Sequence, residues 1–160
     1  MIETARHLKE TISKATPLLR KISEKEALVK PAEQKWSKKE ILGHLIDSAS
    51  NNHQKFVRLM EQETLHFEGY QQDFWVSSQR YNYAPWESLI FLWESYNYHI
   101  AHIIEYVMPD KLANKIYISG NGPYSLEFIM KDYVEHLLHH LKQLLPNERI
   151  ESKFENIYNS

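Results

Sequence analysis

A chain of 160 residues, 42% hydrophobic and 25% charged, has the size and balance of one folded core, and its 4 glycines and scarce strand-like alternation favour helices. The formal charge of −2 comes from 19 basic and 21 acidic residues spread along the chain, which excludes a strong nucleic-acid footprint; only Lys35, Lys38 and Lys39 cluster. There is no cysteine, so disulfides, thiolate nucleophiles and thiolate metal sites are excluded, and any transition-metal site must use histidine and carboxylate.

In chain order, Leu8, Ile12, Ala15, Leu19 and Ile22 recur at helical spacing and predict a first helix. Pro17 inside it predicts a kink, or a restart with Thr16 as N-cap. The pattern stops near Pro31. In "WSKKE", Ser37 and Glu40 form a capping box, each side chain satisfying an orphan backbone N–H, so a second helix is expected from there to about Met60. The stretch from Glu61 to Ala84 is aromatic and polar and reads as a long packed connection with one short helix; such connections often carry function. Trp86, Leu89, Ile90, Trp93, Ile100, Ile104 and Val107 then share one side of a third helix that starts at Pro85 and stops before Pro109. "SGNGP" (119–123) is loop chemistry, Ser125 is the expected N-cap of a fourth helix, and Pro146 closes it.

These elements predict an all-α fold, a four-helix bundle in a single domain over residues 1–160, with connections too long for simple up-down-up-down wiring. The N-terminus "MIETARHLKE" is charged and amphipathic rather than a signal peptide, and no apolar run approaches membrane-spanning length, so a cytoplasmic protein without membrane association is expected.

The fourth helix carries three histidines in five positions, "HLLHH" (136–140). With Leu126 as origin, Met130, Leu137, Leu141 and Leu144 define the apolar arc; His140 falls at about −40° inside it and His136 at about −80° on its edge. His139, at about −140°, lies on the solvent side. His136 and His140 thus form an inward i, i+4 pair that can ligate one ion. On the second helix His44 borders the core within a polar stripe of Ser48, Asn51, Asn52 and Lys55, while His53 lies at the opposite edge. Periodicity leaves two readings open: a His44, His136, His140 metal site, or histidines satisfied in the core and at the surface. His7, His66, His99 and His102 are expected at the surface.

The segments "KWSKKEILGHLIDSASNNHQKFVR", "YQQDFWVSSQRYNY", "LWESYNYHIAHII" and "KDYVEHLLHHLKQL" resemble, in order, the DinB-like (YfiT-like) metalloenzyme family. The most specific pieces are W-S-x-x-E-x-x-x-H-L-x-D and D-Y-x-x-H-x-x-x-H. The resemblance implies a four-helix bundle with a long second connection and a divalent-metal triad at His44, His136 and His140. It also implies activities of two kinds: S-transfer from a low-molecular-weight thiol cosubstrate, in which the metal holds the thiolate, and metal-dependent hydrolysis.

Three neutral imidazoles leave an ion its full charge and an open position, the pattern of a catalytic zinc site, although nickel suits the same donors. Asp47, one turn after His44, and Asp132, one turn before His136, are candidates for orienting a ligand or acting as a base; the alternative for each is a surface pair. Ser48, Asn51 and Asn52 are candidates for lining a binding pocket, and Asn97 is a pocket group or a satisfied core amide. Trp86 and Trp93 read as core, Trp75 and Tyr81 as pocket lining. Two functions therefore compete: a metal-dependent transferase or hydrolase acting on a small-molecule substrate, and a non-catalytic metal-binding stress-response or interaction bundle. Abundant tyrosine and tryptophan favour a homodimer.

Overall fold

The structure is a computed structural model and describes residues 1–150. Four long helices dominate it: α1 (Ile2–Leu19), α3 (Lys38–Glu61), α5 (Trp86–Glu105) and α6 (Leu126–Leu144). Shorter elements join them: α2 (Glu24–Leu28), α4 (Gln72–Gln79), 3-10 turns at Tyr81–Tyr83 and Pro109–Lys111, and strands β1 (Thr64–Phe67), β2 (Lys115–Ile118) and β3 (Asn121–Ser125).

The local signals for α3 and α6 act as expected. The Ser37 hydroxyl accepts from the Glu40 backbone N–H at 3.2 Å, and Glu40 accepts from Ser37 N–H at 2.7 Å, closing the capping box. Ser125 accepts from Phe128 N–H at 3.1 Å. Pro17 does not restart α1. Its missing N–H removes one bond two residues before the helix ends at Leu19, too late to break it. The next turn, α2, went unpredicted although Ser23 and Glu26 carry the same capping-box spacing.

Each long helix packs on two others: α1 on α5 and α6, and α3 on α5 and α6. Consecutive α1 and α3 therefore face each other across the bundle, as do α5 and α6. Cross-helix contacts give the directions. Lys9 meets Glu105 and Arg20 meets Glu87, so α1 and α5 are antiparallel. Lys38 Nζ donates to Leu144 O and the Phe56 ring meets Tyr133, so α3 and α6 are antiparallel. Ser37 contacts Asn82 and His53 contacts Tyr96, so α3 and α5 are parallel neighbours. A parallel neighbour can start only after the chain has travelled back along the bundle, which is why the 62–85 connection is long.

The all-α four-helix bundle is as expected; the strands add a small sheet to it and correct the loop expected at 119–123, since β3 begins at Asn121. β1 pairs parallel to β2 and β2 antiparallel to β3, at the end where α3 finishes and α6 begins. Strands of four or five residues are too short to show alternation. The core is a single cluster that includes Leu8, Ile12, Leu45, Phe56, Trp93 and Leu137. Among the described residues no helix is long and apolar enough to cross a membrane.

Candidate metal centre

The antiparallel α3–α6 seam brings together His44, His136 and His140, whose ligand atoms all lie within 4.8 Å of one another. The Nε2 atoms of His44 and His136 are 3.2 Å apart, and the three rings meet edge to face with centroids 4.6 to 5.1 Å apart. Ser48 Oγ lies 3.3 Å from His136 Nδ1, and Gln143 Oε1 lies 3.4 Å from His140 Nδ1. With the outer nitrogens of these two rings held, their Nε2 atoms turn toward the shared point, the arrangement by which outer contacts orient metal-ligating imidazoles. Trp36 packs on the His44 ring with centroids 5.1 Å apart.

The electrostatics suit a cation. Burial, reinforced by nearby His140, pushes the His44 pKa down to about 4. Burial likewise lowers His140 to about 4, against a Gln143 hydrogen bond that raises it. His136 falls well below its ordinary value, first through burial and then through His140 and His44. All three are neutral near pH 7, the state in which imidazole offers a lone pair. Neutral, convergent nitrogens with oriented rings fit a divalent ion.

Asp47 is not a surface pair. It is buried, and its Oδ1 accepts from the Tyr81 hydroxyl and from Gln79 Nε2, each at 2.6 Å. Its Oδ2 has no hydrogen-bond partner among the described residues, and burial raises its pKa against those two donors. No contact ties it to the His44 ring among the described residues. Asp132 is half-buried on the same α6 face as His136.

Of the pocket candidates, Ser48 reaches the triad. Asn51 is buried and donates to Asp47 O at 2.9 Å. Asn52 is half-buried and donates to Ser48 O at 2.9 Å. Asn97 belongs to the core: it is fully buried, donates to Trp93 O at 2.8 Å and accepts from Tyr133 OH at 2.5 Å. Its place inside the apolar arc of α5 meant a satisfied amide, not a pocket wall. His7, expected at the surface, is buried on α1, whereas His66, His99 and His102 are exposed. Trp86 and Trp93 are core as expected; Tyr81 holds Asp47, and the Trp75 ring packs at a tilt against Tyr70.

Sequence reasoning missed Gln143, Trp36 and Gln79. Gln143 carried a legible signal, lying three residues beyond His140 on the same helix. Trp36 and Gln79 approach the site from outside α3 and α6, where helical phase says nothing.

Comparison with known proteins places this geometry in context. The model of the DinB superfamily matches residues 7–144. No curated protein matches. Among solved structures, YfiT from Bacillus subtilis, described as a probable metal-dependent hydrolase with an unusual four-helix bundle topology, superposes with a TM-score of 0.78. It shares 17% sequence identity, with 90% of this chain and 85% of that one covered, a likeness of fold.

Proposed function

The chain belongs to the DinB superfamily, and from that premise we propose that it is a metal-dependent enzyme acting on a small molecule, with a divalent ion, zinc or nickel, held by His44, His136 and His140. The observation that carries this is the convergence of three neutral imidazoles within 4.8 Å, a donor set that leaves a coordination position open. When bound, such an ion supplies Lewis acidity, making a nucleophile of water or of a small thiol at neutral pH. The protein has no cysteine, so in the thiol version the sulfur comes from a cosubstrate.

The chain's own groups complete the site. Ser48 and Gln143 fix the ring orientations of His136 and His140. Asp132, one turn before His136 on α6, is the candidate proton relay, since no contact ties Asp47 to the His44 ring among the described residues. Asn52 in turn holds Ser48, donating to its backbone oxygen and its hydroxyl.

The test is a panel of esters, amides and thiol-plus-electrophile pairs offered to metal-loaded protein. Turnover that disappears on chelation, returns with metal and is absent in His44→Ala supports the reading. Full metal occupancy without metal-dependent turnover of any substrate would favour the non-catalytic metal-binding bundle instead.

A further inference from the structure

One cation near the triad has no role in the reading above. Lys55 stands on the α3 face that carries His44, Ser48 and Asn52, at spacings of four, four and three residues. It is half-buried, and its Nζ lies 5.7 Å from the centroid of the Phe67 ring. Among the described residues it makes no ion pair: Asp132 across the seam attracts it from beyond contact distance. Its side of α3 is the one that carries His44 and Ser48, so the ammonium and the triad share one face of the helix.

A half-buried ammonium without a contacting anion is costly, and burial lowers the Lys55 pKa, with Asp132 opposing. Eleven residues separate Lys55 from His44, a rise of about 16 Å along the axis. A lysine side chain leans toward the helix N-terminus, which brings the ammonium back toward His44 and shortens that gap to the scale of a small metabolite. Asn52 and Ser48 fill the interval with polar groups. Building on the metal-site reading, we infer that Lys55 is an anion subsite, and that the substrate or cosubstrate is a small molecule with a carboxylate held by Lys55 while its reactive end meets the triad.

Cobalt-substituted protein tests this without requiring turnover. Mercapto-carboxylates of graded chain length, compared with the matching mercapto-alcohols, are titrated while the sulfur-to-cobalt absorption band is followed. At an intermediate length the carboxylate binds about tenfold tighter than the alcohol, the equivalent of one modest ion pair. Lys55→Gln removes that preference without changing cobalt uptake or alcohol affinity, and Lys55→Arg keeps most of it. A preference that survives in Lys55→Gln, or is absent from the wild type at every length, overturns the subsite. So does a loaded protein that binds neither class, because the subsite requires an open coordination position. Failure to take up cobalt overturns the metal reading itself, whereas uptake without charge preference overturns only the assignment of Lys55.

Discussion

The Nε2 atoms of His44 and His136 face each other at 3.2 Å across the α3–α6 seam. Ligand nitrogens on a tetrahedral zinc with bonds of 2.0 to 2.1 Å stand about 3.3 Å apart, so the separation is already that of one edge of a zinc site. Without an ion, one ring must donate its single N–H to the other. Protonating both would set two cations edge to edge in a buried seam; burial depresses both pKa values, His140 adds to the effect on each, and His44 adds to it on His136.

Removing any of the three inward rings should abolish stoichiometric metal. Loss of an outer contact to a ligand costs about 10- to 100-fold in affinity, and loss of a ligand itself costs more. His44→Ala, His136→Ala and His140→Ala should each bind zinc at least about 100-fold more weakly. His139→Ala should keep its metal, because His139 lies outside the cluster. Elemental analysis of the four purified variants decides it; metal lost from His139→Ala but retained in His140→Ala would reverse the assignment.

Much of this geometry was legible in the helical phase. A period of 3.6 residues placed His136 and His140 inward and His139 outward, and capping boxes placed the start of α3. Lys39 shows where that logic stops. It reads as part of a basic surface cluster, yet it is buried, donating to Ala84 O at 2.6 Å and pairing with Glu24. Those partners come from α2 and the turn before α5, and no periodicity within α3 reports them. The same holds for the three strands, whose pairing joins residues 64–67 to 115–118 over a span that local pattern cannot bridge.

Metal-free protein should lose stability as the pH falls below neutral. His44 has a folded-state pKa of about 4 against an ordinary 6.5. The native state binds fewer protons than the unfolded state in that window, so the stabilisation is complete above pH 6.5 and is lost as the pH falls toward 4. For buried His44 the loss is on the order of 3 kcal/mol; the partly exposed His140 adds less. Urea unfolding of chelated protein between pH 7 and pH 4.5 should show the decline, and His44→Ala should show a shallower one. Identical slopes in the two proteins would refute the linkage.

Asn97 offers a test of core against pocket. Its Oδ1 accepts from Tyr133 OH inside the bundle. Tyr133→Phe leaves that oxygen buried without its donor and should cost about 1 to 3 kcal/mol of stability. Metal affinity should be unchanged, since neither residue meets the triad. A metal-binding defect at unchanged stability would return Asn97 to the site.

Nucleic acid should not bind at physiological salt. The net charge is −2, and of the three clustered lysines Lys39 is buried and Lys38 donates to Leu144 O at 2.9 Å. Too little free cationic charge remains to release counterions from a phosphate backbone. Fluorescence anisotropy with labelled duplex at micromolar protein should stay flat, and a salt-dependent rise would overturn the expectation.

Gly43 and Tyr81 pack against each other beside Asp47. The Tyr81 ring lies where a Cβ on Gly43 would stand, and this close approach is what carries the Tyr81 hydroxyl to Asp47 Oδ1 at 2.6 Å. Gly43→Ala must push the ring away, and the clash is with a rigid aromatic anchored in the core, not with a flexible tip. Overpacking of this kind costs about 1 to 3 kcal/mol. The displaced hydroxyl also leaves Asp47 with Gln79 as its remaining side-chain donor, on a carboxylate whose Oδ2 already has no partner among the described residues. Tyr81→Phe separates the two effects, because it keeps the ring and deletes only the donor. Both variants should be destabilised, with Gly43→Ala the worse. Both should raise the pH at which Asp47 ionises, since the lost hydrogen bond held its pKa down against burial. Carboxyl chemical shifts of Asp47 followed through a pH titration read this directly; an ionisation midpoint unchanged in Tyr81→Phe would show that the hydroxyl does not stabilise the carboxylate.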